Sequence, residues 1–189
     1  MGLRSWLAGL FAVDDDGGGD DPEEGGLDLA VDVERRAGAI MEHYGLDGED
    51  ARTAAEILDE EVTREEGYAR TMIADRLARD LGIDEGLART IVNTEVASIR
   101  TLARVRKFER QADDGARFRW VDSVGTDDSP VCADVRATID DRGPVSRSEL
   151  EDVIREAASD HAEGTPERAD DLIPHESCRH TVVRHVETN

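Results

Sequence analysis

Between Asp84 and about Gln111 the apolar residues Leu87, Ile91, Val92, Val96, Ile99, Leu102, Val105 and Phe108 recur at spacings of three and four. That rhythm places them on one face of a single long helix. A helix of this kind must bury its stripe against partners along its whole length, because packing rather than propensity supplies most helical stability. Three shorter segments upstream offer such partners. Val31, Ala37, Ile40, Met41 and Tyr44 form a stripe that Gly45 stops, and a second helix runs from Gly48 or Glu49 through Ile57, Leu58 and Val62. A third is expected to begin near Thr63, with Glu66 in the capping-box position, and to carry Tyr68, Met72, Ile73 and Leu77 to Gly82.

Past Asp113, Asp114 and Gly115 the texture changes. Residues 117–124 alternate like a strand, with Phe118 and Trp120 on one side. Residues 125–130 are rich in turn formers and lead to Cys132, and residues 137–140 read as a second strand. Ser146, with Glu149 three residues on, caps a short helix to about Ser159, and residues 181–186 form a final strand. The expected fold is therefore α+β: a helical N-terminal half with a long helix over 27–112, and a small antiparallel β-containing C-terminal domain over 113–189.

The chain's 189 residues carry 45 acidic against 23 basic side chains, a net charge of −22, and Lys107 is its sole lysine. Phosphates are gripped by clustered Lys and Arg, so this balance excludes a protein that holds nucleic acid with its whole surface, and it disfavours an anionic membrane surface as partner. The one basic run, Arg100, Arg104, Arg106, Lys107 and Arg110, does not share a single helix face, and Glu109 interrupts it. A dense carboxylate surface almost free of lysine fits adaptation to high salt, where ions screen its self-repulsion. Codon bias in a GC-rich genome would explain the missing lysines but explains the net charge less well.

No apolar run approaches the roughly 20 residues of a membrane span. Residues 1–13 superficially resemble a signal peptide but lead into an acidic stretch with no small-residue cleavage site, so the expected location is not secreted. Residues 14–26 are almost wholly Asp, Glu and Gly, a composition that makes a flexible acidic linker. The head before it places Leu3, Trp6, Leu7, Leu10 and Phe11 at helical spacing, as a peptide that docks on a partner does; a disordered tail is the alternative.

The strongest chemical signal is His175-x-x-Cys178-x-His180 with Cys132 upstream. Both cysteines and two of the five histidines can supply the four soft donors that zinc prefers in a closed tetrahedral site. A lean chain with 4% aromatic residues gains folding free energy from such an ion. A Cys132–Cys178 disulfide and a metal-free cluster remain alternatives. Catalytic zinc is disfavoured, because zincin histidines sit four apart on a helix and these are five apart after Pro174. No glycine-rich phosphate loop or Gly-x-Ser-x-Gly element is present, so no enzyme is expected. Ser129 and His185 are further candidates for the metal site; His43 is expected at a surface or boundary, His161 in a loop, and Glu95 in an ion pair or cap.

Taken in order, Asn93-Thr94-Glu95, Phe118-Arg119-Trp120, Asp127 to Cys132 and Pro174 to Thr181 resemble the C-terminal domain of the phage Mu F-like family of head-morphogenesis, or minor capsid, proteins. The resemblance covers roughly residues 84–186. Ser129 stands where that family has the first Cys of a pair, and His180 stands for its last Cys. The second exchange keeps a ligand type, while the first removes one, so a four-ligand set requires His175. What the resemblance implies is a minor capsid protein with several copies in the virion of a tailed virus, near the portal. Its partners would be the portal protein or major capsid protein, with packaged DNA engaged only indirectly. The competing expectation is a small zinc-containing adaptor or regulatory protein of a halophilic archaeon.

Overall fold

A computed structural model of the chain describes residues 27–64, 67–112, 115–121, 129–161, 168–178 and 180–186. Among these residues the chain is mostly helical, with one small antiparallel sheet. Aspartates start three of the first four helices. Asp32 accepts from the Arg35 amide at the head of α1, Val33–Tyr44. Asp47 accepts from Glu49 and Asp50 for α2, Gly48–Val62. Asp84 does the same with Gly86 and Leu87 for α4, Glu85–Gln111. Each such cap satisfies amides that have no partner within the helix, so part of the chain's acidic load serves local structure. Gly45 closes α1, and Gly82 closes the third helix (α3, Arg70–Leu81), in the left-handed conformation that a side chain would resist.

The third helix, α3, is shorter than the capping-box reading implied. It spans Arg70–Leu81 behind Ala69, which makes no side-chain cap. Thr63 instead ends α2, its hydroxyl donating to the Asp59 carbonyl at 2.6 Å, while Glu66 lies outside the described residues. A threonine at a helix boundary can serve either neighbour, and here its bond back to the preceding turn wins. Two residues assigned to apolar stripes also emerge on the surface: Met41 is 48% exposed and Met72 65%.

Downstream, α5 spans Pro130–Arg142 and α6 spans Arg147–Asp160. The segment 137–140 is therefore helical and not a strand. Pro130 occupies the first turn of α5, where its missing N–H costs no helical bond. Val131, Val135 and Ile139 then recur every four residues on the buried side. The expected box at α6 is complete, with the Glu149 amide donating to Ser146 Oγ and the Ser146 amide to Glu149 Oε2 at 2.7 Å. Strand β1, Phe118–Val121, pairs antiparallel with β2, Thr181–Arg184, with Trp120 opposite Val182. On its other edge Phe118 exchanges backbone hydrogen bonds with Val145.

Two apolar clusters result, and α4 contributes to both. Its residues through Ile99 pack with Ile40, Leu58, Ile73 and Leu77, while Leu102 and Val105 pack with Phe118, Trp120, Val135, Ile154 and Val182. No described helix is long and apolar enough to cross a membrane.

Where the clusters meet, α4 carries a buried charge. Glu95 has no exposed surface. Arg36 of α1 donates to its Oε2 at 2.5 Å, Tyr44 to its Oε1 at 3.1 Å, and Arg168 reaches both oxygens. Asp171 completes the group. It accepts from Arg168 Nε at 3.0 Å and pairs with Arg35 at 2.5 Å, and its backbone carbonyl accepts from Ser98 Oγ at 3.1 Å. Burial opposes ionisation of Asp171, yet Arg36 and Arg168 outweigh it and hold the carboxyl below its ordinary range. Burial and the adjacent Glu95 raise the Tyr44 phenol, which stays a proton donor.

A buried carboxylate shared by two arginines contributes little net stability against a well-packed apolar alternative, but removing one partner leaves uncompensated charge. We expect Glu95→Ala to lower unfolding free energy by about 3–5 kcal/mol in urea titrations. Breaking the exposed Arg89–Glu85 pair should change it by about 1 kcal/mol or less. Equal effects would contradict the role assigned to Glu95.

Candidate metal centre

Four side chains from three parts of the chain converge beside the second cluster. Cys132 lies in the first turn of α5, where the helix N-terminus favours a thiolate. His175 and Cys178 come from the irregular segment between Ile173 and β2, and His180 immediately precedes that strand. The turn between His175 and Cys178 is made by Ser177, whose φ of 55° is left-handed. The Ser177 amide donates to Thr94 Oγ1 at 2.8 Å, and the Thr94 hydroxyl donates in turn to the Thr90 carbonyl at 2.8 Å. The long helix thus holds the loop that presents two of the donors.

The donor atoms of Cys132, His175, Cys178 and His180 all lie within 4.8 Å of one another. Cys132 and Cys178 sulfurs are 3.6 Å apart and are not joined. His175 Nε2 is 3.0 Å from Cys132 Sγ, and His180 Nδ1 is 3.6 Å from Cys178 Sγ. A tetrahedral ion with about 2.3 Å to sulfur and about 2.0–2.1 Å to nitrogen has donor-to-donor edges of roughly 3.3–3.8 Å. Two of these separations fall in that range, one at 3.0 Å is shorter and the widest reaches no more than 4.8 Å, so small side-chain shifts close the cage and these four residues can hold a metal ion.

Neighbouring groups set the protonation that binding requires. His175 Nδ1 lies 2.7 Å from the Glu176 carbonyl, a contact that places the proton there and leaves the Nε2 lone pair for an ion. The His180 ring stacks on Trp120 with centroids 5.6 Å apart and planes 16° from parallel. The hydrogen bond with Cys132 is the main cause that holds the Cys178 thiol far below its ordinary value; burial opposes it, and His175 and His180 reinforce it. Burial alone would lower the His175 imidazole, but the Cys178 sulfur outweighs it and the value lies above the ordinary one. Cys132, Cys178 and His180 are buried, and His175 is half-buried.

His185 does not join the four. Its Nδ1 faces Arg119 Nε at 3.4 Å on the outer side of the sheet. Ser129 stands at the N-cap position of α5 and makes no capping bond. His43 is half-buried at a cleft that Arg35 and Arg168 also line, and His161 ends α6 with Nε2 2.5 Å from Asp134 Oδ2. Within the basic run, Arg104 reaches Thr181 Oγ1 and Arg106 donates to the Asp28 carbonyl at 3.3 Å. Leu3, Trp6, Leu7, Leu10 and Phe11, together with the linker 14–26, lie outside the described residues.

Sequence reasoning did not find Arg36, Ser98, Arg168 or Asp171. Arg168 and Asp171 sit in an acidic, turn-like stretch, and Arg36 reads as part of a solvated helix face. No spacing links any of them to Glu95. No protein-family model, no curated protein and no solved structure matches the chain.

Metal binding here must displace protons, so affinity falls as pH falls. Because the His175 imidazole lies above its ordinary value, competition begins on the alkaline side of about pH 6.5. With Trp6→Phe leaving Trp120 as the sole tryptophan, stripping the metal should change its fluorescence, and re-addition should restore it with proton release. His185→Ala should leave the titration unchanged and Cys178→Ser should abolish it. A signal insensitive to metal, or abolished by His185→Ala, would contradict the assigned ligand set.

Proposed function

We propose that this chain is a minor capsid protein of a tailed virus with a halophilic host, acting near the portal in head assembly or genome delivery, and that its centre holds zinc. One observation carries the reading. The short elements that resemble the Mu F-like family lie far apart in sequence and converge on one place. Thr94 holds Ser177, Trp120 stacks on His180, and Cys132 faces Cys178. Such convergence supports reading those elements as one unit and not as coincidental dipeptides.

Zinc is favoured by the donor set, two sulfurs and two imidazoles gathered within 4.8 Å of one another, three of them on buried residues. Four protein donors leave no open position for water or substrate, which supports a structural rather than a catalytic ion. The acidic surface supports the high-salt setting. A zinc-containing adaptor of a halophilic archaeon would share the centre and the charge, but it would have no place in a particle.

In the proposed role the apolar head docks on the portal or major capsid protein. A linker of this length spans on the order of 20 Å, enough to reach a neighbouring subunit, and several copies in a ring would add up weak contacts. Elemental analysis of the purified protein should find one zinc per chain; stoichiometric iron or copper, or no metal, would overturn that assignment. Mass spectrometry of purified particles should detect the chain, and deletion of residues 1–13 should lower its incorporation while leaving metal content unchanged. Particles lacking the wild-type chain would favour the adaptor, and wild-type incorporation of the truncated chain would remove the docking role.

A further inference from the structure

We infer that metal loading controls how firmly α1 is held against the C-terminal half, with the segment from Arg168 to Ser177 transmitting the effect; this rests on the metal reading proposed above. α1 has two kinds of contact. Ala37 and Ile40 join the first apolar cluster, while Arg35, Arg36 and Tyr44 reach Asp171 and Glu95. The pairs with Asp171 reach the half that contains the proposed metal ligands.

Arg168 and Asp171 occupy a tight hairpin. Arg168 and Ile173 exchange backbone hydrogen bonds at 3.2 and 3.1 Å across the 3-10 turn Ala169–Asp171, and Leu172 turns the chain with a left-handed φ of 57°. The hairpin ends at Ile173, and the ligand His175 follows two residues later. His175, Cys178 and His180 therefore follow Asp171 by four, seven and nine residues.

Between the hairpin and β2 the described residues have no regular secondary structure of their own. The Ser177–Thr94 bond anchors this segment to α4, and the ion would add a fixed link to Cys132 on α5. Without the ion, the segment loses its restraint against α5, and the hairpin that continues it seats less firmly. A buried polar network responds as a group, because each member is satisfied only while the others are in place. If the hairpin lifts, Glu95 loses Arg168, and Arg35 and Arg36 lose Asp171. Binding linkage is reciprocal, so disturbing the Asp171 end must weaken metal binding in turn.

Hydrogen exchange on the full-length wild-type protein, zinc-loaded and after chelation, tests this without any substitution. Chelation should speed exchange in 168–180 and also in α1, the latter by about fivefold or more, with α2 and α3 unchanged. A response confined to 168–180 would overturn the link, and so would a uniform rise through all the helices. A second measurement reads the other direction. Asp171→Asn keeps all four ligands, yet should weaken zinc about tenfold in competition with a chelator, whereas the exposed Asp152→Asn should not; equal affinity in the two variants would overturn the proposal. If wild-type protein takes up no zinc, elemental analysis identifies the metal reading itself as what failed.

Discussion

The buried carboxylate of Glu95 joins parts of this protein that are otherwise separate. α1 to α3 pack on the first half of α4, and the sheet with α5 and α6 packs on its second half. Apolar contact alone would leave these two clusters joined mainly through one helix. Glu95 sits between them and collects Arg36 from one side and Arg168 from the other. Its burial makes that bond selective: a charge inside low-dielectric surroundings is tolerated only with its partners in place, so the two halves have one well-satisfied way to meet. Salt weakens exposed ion pairs far more than this one, which suits a chain whose surface carries such an excess of charge.

Beside it, Thr94 extends the same turn of α4 toward the metal ligands. One helical turn thus faces two ways, with Thr94 holding the loop that presents His175 and Cys178, and Glu95 holding the hairpin that precedes it. Among the described residues of the C-terminal half, the buried aromatic side chains are Phe118 and Trp120, and the sheet has two short strands. An ion held by Cys132, His175, Cys178 and His180 would tie α5 to the approach to β2 and supply the cross-link that so small a sheet lacks. Stacking of His180 on Trp120 places the apolar core directly against the donors, which shields the site from water.

Acidic residues serve several ends in this fold. Asp32, Asp47 and Asp84 cap helices, Asp171 and Glu95 build the buried network, and most others among the described residues face solvent. Counting charge alone would assign all of them to the surface. Position separates them, because a carboxylate ahead of a helix or between two arginines is stabilised by specific donors and one on an open face by water and ions.

Local order was legible in the residues themselves. The period of α4, the glycine stops, the capping box at Ser146 and the alternation around Trp120 follow from neighbours in the chain, and the types of Cys132, His175, Cys178 and His180 name their own chemistry. Short apolar runs were less decisive. Residues 137–140 look like a strand alone, and only the stripe of Val131, Val135 and Ile139 against the core makes them helix. Thr63 could close one helix or open the next, and the chain's path chose the former. Tertiary structure alone decided that Arg36, Arg168 and Asp171 surround Glu95, and that the two cysteines come within reach of a common ion. Charges attract at whatever sequence separation the fold provides, so no local pattern marks their partners; only the packing of α1 and the hairpin against α4 brings them together.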